Sequence, residues 1–378
     1  MANDVQQFQV FAKPIGASCN LNCSYCYYLN KIKLYPESGN RIMNDDTLEQ
    51  YIIQHIEAAS ASIIVFSWHG GEPTLLGIDY FKKIIQLQKK HQPANSRIIN
   101  GIQTNGTLLN VEWCQFLAKE NFTIGISIDG PEEIHDLFRR TPANQSSFNK
   151  TIRSIELLKK YKIIFEILCV VHHKNVEVPL HLYDFFRTLG AQYISFLPLV
   201  ERRNGFITNE SVSAEKYGRF LCAIFDEWKA NDIGKIKIQI FEEAARTAFK
   251  QEHSLCIFRK TCGAVPVIEQ NGDFYACDHF VDPAHLIGNI KSTSLSTMLN
   301  SSRQVAFGKD KWDSLPRYCL NCEVVEMCNG ECPKNRFNKT PDGENGLNYL
   351  CIGYKIFFSH IQPFVNEIRN TYLNQKSL

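Results

Sequence analysis

The first two-thirds of the chain alternates short runs of β-branched and aromatic residues with longer amphipathic stretches. The short runs predict strands at Gln9–Pro14, Ile63–Trp68, Arg97–Gln103, Phe122–Ile128, Ile163–Val171 and Gln192–Pro198. The amphipathic stretches predict helices at Asp45–Ala59, Ile78–His91, Val111–Glu120, Phe148–Tyr161 and Pro179–Leu189. Strand–helix alternation at this spacing is typical of parallel βα units. Six strands are too few for a closed eight-stranded barrel, so we expect an α/β fold with a partial (β/α)6 barrel.

Polar, glycine-containing loops follow three of the predicted strands. They are His69-Gly70-Gly71-Glu72-Pro73, Gln103-Thr104-Asn105-Gly106 and Ser127-Ile128-Asp129-Gly130-Pro131. In barrels of this kind, active sites form at the C-terminal ends of the strands. These loops are therefore candidates for a binding site.

The pattern changes at Cys256, after two further helical stretches at Ala214–Lys229 and Phe241–Gln251. Cysteines become dense, and Gly, Asn and Pro interrupt short elements up to a final predicted helix at Ile352–Tyr372. This texture indicates a small domain stabilised by metal rather than by a large apolar core. We predict a barrel domain at residues 1–235 and a cysteine-rich domain at residues 236–378.

Composition narrows the class of protein. The 378 residues are 44% hydrophobic and 21% charged, with a net charge of +2, so no strong field favours nucleic acid as a partner. The start of the chain, Met1–Phe11, is polar and unlike a secretory signal, and no apolar run is long enough to span a bilayer. We expect a cytoplasmic protein, in which 14 cysteines indicate metal or redox chemistry rather than disulfides.

Three cysteines stand close together near the start of the chain, as Cys19-x3-Cys23-x2-Cys26. Three thiolates on one loop suit a cubane 4Fe-4S cluster whose fourth iron stays open to another molecule. The alternative is a zinc knuckle, but structural zinc requires four ligands, and neither His55 nor His69 has finger-like spacing. The triad therefore predicts an iron–sulfur cluster with an open position.

Eight further cysteines form a C-terminal array. They are Cys256, Cys262, Cys277, Cys319, Cys322, Cys328, Cys332 and Cys351. Eight thiolates suffice for two fully ligated 4Fe-4S clusters, with two zinc sites as the alternative, and the spacing leaves their partition open. The remaining cysteines, Cys114, Cys169 and Cys222, lie in apolar segments and are predicted to be core thiols.

The N-terminal motifs resemble the signature of the radical S-adenosylmethionine (SAM) superfamily: CxxxCxYC after the first strand, then Gly70-Gly71-Glu72-Pro73. The resemblance implies that SAM chelates the open iron and is cleaved to a 5′-deoxyadenosyl radical, with Glu72 near the methionine ammonium. It also implies SAM contacts, at Tyr25, Gly70, Gly71, Ser127, Arg139 and Val200.

The C-terminal array is similar to the SPASM domain, which carries two auxiliary clusters. That resemblance, not the spacing, implies the ligand sets. It assigns one cluster to Cys256, Cys262, Cys277 and Cys332, and the other to Cys319, Cys322, Cys328 and Cys351. The resemblance thus implies three 4Fe-4S clusters in all, one binding SAM and two auxiliary.

The chain as a whole resembles the anaerobic sulfatase-maturating enzymes, from Lys13-Pro14 through Cys277-Asp278 to the last cysteine. The resemblance implies oxidation of a sulfatase cysteine or serine to Cα-formylglycine, with Asp278 as the base. It implies as partners an unfolded or nascent sulfatase carrying Cys/Ser-x-Pro/Ala-x-Arg, and an electron donor such as flavodoxin or ferredoxin.

Two other functions stay open on the sequence. One is a SPASM maturase that forms thioether or related links in a ribosomal peptide, although only 18 residues precede Cys19 here and many such enzymes carry an N-terminal leader-binding module. The other is a non-enzymatic iron–sulfur electron carrier, which does not account for the three-cysteine open cluster.

Overall fold

The computed structural model describes residues 8–35 and 42–376 of the chain. Residues 1–7, part of the stretch in which no secretory signal was predicted, lie outside the described residues. The chain forms two compact units, each assembled from three separate segments. The first takes Met1–Ser127, Asp136–Phe165 and Gly263–Gly308, and the second takes Ile128–His135, Glu166–Cys262 and Lys309–Leu378.

The six predicted strands are all present, with ends shifted by up to two residues. They are β1 Phe11–Lys13, β2 Ile63–Trp68, β3 Arg97–Thr104, β4 Thr123–Ser127, β5 Phe165–Val171 and β6 Tyr193–Pro198. The other strands are short: β7 Arg202–Arg203, β8 Phe206–Ile207, β9 Lys237–Ile238, β10 Val267–Glu269, β11 Asp273–Tyr275, β12 Leu286–Asn289, β13 Asn338–Lys339 and β14 Asn345–Leu347.

The helices also follow the predicted pattern. In chain order they are α1 Asp45–Ala58, α2 Ile78–His91, α3 Val111–Lys119, α4 Glu132–His135, α5 Phe148–Lys160, α6 Pro179–Thr188, α7 Ala214–Asn231, α8 Gln239–Arg246, α9 Leu295–Leu299, α10 Ser302–Asp313, α11 Arg317–Leu320, α12 Val325–Cys328 and α13 Cys351–Lys376. Short 3-10 helices lie at Leu29–Leu34, Pro73–Leu76, Asn175–Glu177, Thr247–Phe249, Pro283–His285 and Pro333–Asn335. None of the helices in the described part of the chain is long and apolar enough to cross a lipid bilayer.

The first unit contains a sheet whose strands are ordered β12-β11-β10-β1-β2-β3-β4. The strands from β10 to β4 run parallel, with Lys13 opposite Glu269 and Phe11 opposite Ser67. Strands β11 and β12 add antiparallel pairs at one end. Because neighbouring strands are parallel, the loops after β1, β2, β3, β4 and β10 leave the sheet at one edge.

Helices α1 and α2 show why the local sequence folds as it does. The Asn44 side chain caps α1 by accepting from the Thr47 N–H, as short polar side chains do at helix starts. Residues on one face of α1 are buried, among them Tyr51, whose ring meets those of Phe66 and Trp68 on β2 edge to face. This burial fixes the helix against the strand that leads into the Gly70-Gly71 loop.

The second unit contains β5, β6 and β9 as a parallel set and the paired helices α7 and α13. Gly218 on α7 and Gly353 on α13 let the helices approach closely, since a Cβ on Gly218 would lie 2.4 Å from the Gly353 carbonyl oxygen. Helix α13 begins at Cys351, one residue before its predicted start. The helix contact therefore positions a predicted cluster ligand.

Candidate active site and cluster sites

The loop after β1 carries the three N-terminal cysteines and is held by backbone hydrogen bonds. Asn22 and Ser24 donate to the carbonyls of Arg140 and Phe138, at 2.7 and 3.2 Å, and Cys26 donates to Cys23 at 3.0 Å. Cys23 is buried, while Cys19 and Cys26 are half-buried. The three thiols therefore lie on one tethered loop.

The Cys19 sulfur is surrounded by N–H donors. The Leu21 backbone N–H lies 3.3 Å from this sulfur and Asn105 Nδ2 lies 3.8 Å from it. Burial raises the pKa of the Cys19 thiol to about 11, although the hydrogen bond from the Leu21 N–H lowers this pKa. Without a metal the group is a neutral thiol, and iron would replace the proton.

The glycine loop after β2 packs directly on the cysteine loop. Gly71 donates to the Gly16 carbonyl at 2.7 Å, and the Glu72 N–H donates to Ser18 at 2.9 Å. A Cβ on Gly71 would lie 2.0 Å from the Ser18 oxygen, so only glycine fits. Gly70 has φ +129°, a conformation that side chains disfavour. Both glycines are thus required to seat the loop that precedes Cys19.

Glu72 is fully buried, and its carboxylate is already satisfied by neighbouring groups. Oε1 accepts from the Thr74 N–H at 3.0 Å and Thr104 Oγ1 at 2.7 Å, and Oε2 accepts from the Asn105 N–H at 2.7 Å. Burial raises the pKa of Glu72, while these donors lower it. Glu72 therefore joins the loops after β2 and β3, and its contact with a SAM ammonium stays a prediction.

The other predicted SAM contacts lie on both units. Arg139 is buried, with its guanidinium carbon 5.5 Å from the centre of the Tyr25 ring. Ser127 is buried at the end of β4. Val200, buried after β6, belongs to the second unit. The structure thus brings Tyr25 and Arg139 together beside the cysteine loop.

Asp278 is buried, and both of its carboxylate oxygens are bonded. Oδ1 forms an ion pair with Lys13 Nζ, and Oδ2 accepts from Tyr27 Oη at 2.5 Å. Burial raises the pKa of Asp278, but the Lys13 ammonium, His279 and the Tyr27 hydroxyl outweigh it and hold that pKa below its usual value. Asp278 is therefore an ionised carboxylate at neutral pH, beside Cys277 and on the same unit as the cysteine triad.

Four cysteines of the second unit line one cavity. They are Cys319, Cys322, Cys328 and Cys351, which share the cavity with Val324, Val325 and Tyr354. Burial raises the pKa of Cys351 to about 11 and that of Cys328 further. An apolar cavity lined by four thiols fits a fully ligated cluster.

Cys256, Cys262 and Cys332 form a second group in the same unit. Cys256 and Cys262 interact electrostatically with one another and with Lys311, which also interacts with Cys332. Cys277 belongs to the first unit. Among residues 8–35 and 42–376, no group of three or more His, Cys, Asp or Glu side chains is placed to hold a single metal ion.

Lys13 and Tyr27 are site residues to which sequence reasoning assigned no role, and Asn105 was predicted only as part of a candidate binding loop. Lys13 and Tyr27 bond to Asp278, and Asn105 bonds to the Cys19 sulfur and to the Glu72 carboxylate. The signal available was position alone: Lys13 ends β1, Asn105 follows β3, and Tyr27 follows the third cysteine.

Comparison with protein families agrees with both groups of motifs. Residues 14–186 match the Radical SAM superfamily, and residues 256–323 match the SPASM iron–sulfur cluster-binding domain. The class is therefore that of radical SAM enzymes with a SPASM domain. The predicted cofactors, SAM and iron–sulfur clusters, are those that the two family descriptions name.

Individual relatives narrow the class. The chain is 44% identical to the serine-type anaerobic sulfatase-maturating enzyme of Bacteroides thetaiotaomicron, over 97% of this chain and 92% of that enzyme. It is 32% identical to the cysteine-type enzyme of Clostridium perfringens, over 95% and 97% of the two chains. The chain belongs to the family of anaerobic sulfatase-maturating enzymes. These relatives favour this function over a ribosomal-peptide maturase or an electron carrier.

A solved structure supports the same assignment. The structure described as native anSMEcpe with bound AdoMet and Kp18Cys peptide aligns with a TM-score of 0.85 and 32% identity, covering 96% of this chain and 99% of that one. The predicted fold class, a radical SAM α/β domain followed by a SPASM domain, is confirmed. The boundary between residues 235 and 236 falls outside both family matches and stays a prediction.

Proposed function

We propose that this protein oxidises a serine or cysteine of a sulfatase to Cα-formylglycine, with Asp278 as the base. The observation that supports it is the Lys13–Asp278–Tyr27 group, in which Lys13 and Asp278 are buried, on the unit that also carries the cysteine triad. This arrangement leaves Asp278 ionised, and it belongs to a chain whose relatives are sulfatase maturases.

The proposal assigns ligands as the family resemblance implies. Cys19, Cys23 and Cys26 hold the SAM-binding cluster, beside the SAM contacts proposed at Tyr25, Gly70, Gly71, Glu72, Ser127, Arg139 and Val200. Cys256, Cys262, Cys277 and Cys332 hold one auxiliary cluster, and Cys319, Cys322, Cys328 and Cys351 hold the other. When bound, SAM and the clusters supply the radical that takes a hydrogen atom from the target Cβ and the acceptor for one electron.

Asp278 supplies the proton acceptor in this scheme. Loss of a Cβ hydrogen and of one electron makes the neighbouring O–H or S–H of the substrate strongly acidic, so a carboxylate of low pKa is a sufficient base. Lys13 and Tyr27 hold both carboxylate oxygens and so fix their direction. Serine then gives the aldehyde directly, and cysteine gives a thioaldehyde that water converts to the aldehyde with loss of hydrogen sulfide.

The target and partners belong to the same proposal. We infer that serine is accepted, because three serine-type relatives are 44%, 35% and 34% identical and a cysteine-type one is 32% identical. A sulfatase segment of the form Cys/Ser-x-Pro/Ala-x-Arg, bound before folding, a flavodoxin or ferredoxin donor, and a cytoplasmic location remain predictions.

The test is anaerobic incubation of the reconstituted enzyme with SAM, dithionite and two sulfatase-motif peptides that differ only in serine or cysteine. Mass spectrometry should show loss of two hydrogens from the serine peptide, and formation of 5′-deoxyadenosine. Formation of 5′-deoxyadenosine with both peptides left unmodified would refute formylglycine formation while leaving the radical SAM class intact.

A further inference from the structure

Lys311, on α10, is a buried lysine whose ammonium bonds to backbone carbonyls rather than to a carboxylate. Its side chain is only 1% exposed, and Nζ donates to the carbonyl oxygens of Cys256 and Ile257, at 2.8 and 2.7 Å. Within the part of the chain that the structure describes, Lys311 forms no ion pair with a carboxylate. A buried ammonium is costly to desolvate unless a negative charge compensates it.

The nearby carboxylate of Glu331 acts electrostatically on Lys311 and on Arg336, but among the described residues it forms no ion pair with either, so it offsets at most one of the two positive charges. Arg336 adds a second cation, and its guanidinium donates to the backbone carbonyls of Gly330, Lys311, Asn329 and Glu331. The carboxylate of Glu331 accepts instead from the side-chain amides of Asn335 and Asn348, at 3.2 and 2.5 Å. Two cations therefore lie together in an interior region that neutral side chains alone would not favour.

Three thiols also act electrostatically on Lys311. Cys256, Cys262 and Cys332 all interact with its ammonium electrostatically, and all lie on the same unit. As neutral thiols they would offset little of the desolvation cost. As iron-bound thiolates of a cluster that carries net negative charge, they would offset it directly.

We propose that Lys311 is the fixed counter-charge of the auxiliary cluster that Cys256, Cys262 and Cys332 help to ligate, and that it raises the reduction potential of this cluster. Reduction adds one negative charge, and a nearby buried cation stabilises the reduced form more than the oxidised one. A higher potential favours transfer of the electron from the substrate radical. Lys311 is thus a positioning residue, which acts through the positive charge that it holds near the cluster. The inference rests on the ligand assignment proposed above.

The test is a redox titration of the fully reconstituted enzyme followed by electron paramagnetic resonance. Lys311→Gln keeps an N–H donor for the two carbonyls but removes the charge, Lys311→Met removes both, and Lys311→Arg keeps the charge. We expect Gln and Met to lower the reduction equilibrium constant of one cluster at least about tenfold, which is about 59 mV for one electron. The Arg variant should stay within a factor of about two of the parent enzyme.

Lys355→Gln is the matched control, because Lys355 interacts electrostatically with Cys322 and Cys351 of the other group and is only partly buried. It should leave unchanged the signal that responds to Lys311. An unchanged potential in both the Gln and Met variants with full iron content would overturn the proposal, as would a shift of the same signal by Lys355→Gln.

Loss of the cluster gives an equally clear result. If the Gln variant loses iron and the Arg variant retains it at the parent potential, the charge requirement stands; equal loss from both assigns Lys311 a purely structural role. The potentials are measured without a peptide substrate. If the parent enzyme makes no formylglycine, the proposed function is refuted, but the effect of the Lys311 variants on the reduction potential can still be measured.

Discussion

At the scale of single residues, the charged and polar groups around Asp278 bear most directly on the proposed reaction. Asp278→Asn keeps the size of the side chain but removes the proposed proton acceptor. We expect 5′-deoxyadenosine formation to continue and formylglycine to fall by about 100-fold, since a positioned base contributes at least that much. Both products are quantified by liquid chromatography with mass spectrometry in the same anaerobic reaction.

Asp282→Asn serves as the control for this prediction. Asp282 lies four residues along the chain, and within the described residues its carboxylate bonds to the Ala284 N–H and the His285 ring. It should retain formylglycine formation. A normal product yield from Asp278→Asn would show that another group takes the proton.

The residue scale also shows what a single sequence can and cannot predict. Asp278 was identified through a motif beside a cysteine, a local signal. Lys13 was not assigned a role, although its ammonium pairs with that carboxylate, because the two are separated by 265 positions. Their meeting depends on the parallel pairing of β1 with β10, and the periodicity of either short strand does not specify its neighbour.

At the scale of elements, the Gly70-Gly71 loop and the cysteine loop behave as one structure. Gly71→Ala would place a methyl group 2.0 Å from the Ser18 backbone oxygen, so the cysteine loop must move. We expect the variant to lose the SAM-binding cluster and 5′-deoxyadenosine formation, while both auxiliary clusters remain. Iron analysis and electron paramagnetic resonance of the reconstituted protein measure this.

Gly101→Ala on β3 is the matched substitution, because the atom nearest to its new methyl group is the side-chain hydroxyl of Thr123, at 3.2 Å, which can adjust. It should keep all three clusters. Full SAM-cluster content in Gly71→Ala would show that the loop tolerates the displacement.

Elements were the level at which the sequence predicted best. Helix α2 begins and ends where its apolar spacing indicated, and α1 ends one residue early. Periodicity reports burial of one face, which is a property of each element by itself. Periodicity cannot show that the Ser18 backbone, rather than a ligand, occupies the space beside Gly71, because this contact joins two loops that are distant in sequence.

At the scale of the whole molecule, the two compact units are each discontinuous, and no change of composition along the chain indicates this. Residues 263–308 belong with the N-terminal unit because β10 pairs with β1, while α13 returns to pack on α7. The composition changes at Cys256, where cysteines become dense. This change reflects the ligands that the segment carries and does not coincide with a boundary between the two compact units.

The three clusters should nevertheless be separable chemically. The triple variant Cys19→Ala, Cys23→Ala and Cys26→Ala removes the only ligands proposed for the SAM-binding cluster, so it should lose one of three clusters' worth of iron and all SAM cleavage. Replacing Cys114, Cys169 and Cys222 by alanine removes the same number of thiols from core or half-buried positions and should retain all the iron. Iron and sulfide analysis with a 5′-deoxyadenosine assay distinguishes the two variants. Since the auxiliary cysteines lie outside the N-terminal cysteine loop, on other loops and on α11, α12 and α13, their clusters should assemble without the N-terminal one. Persistent SAM cleavage in the first variant would contradict the ligand assignment.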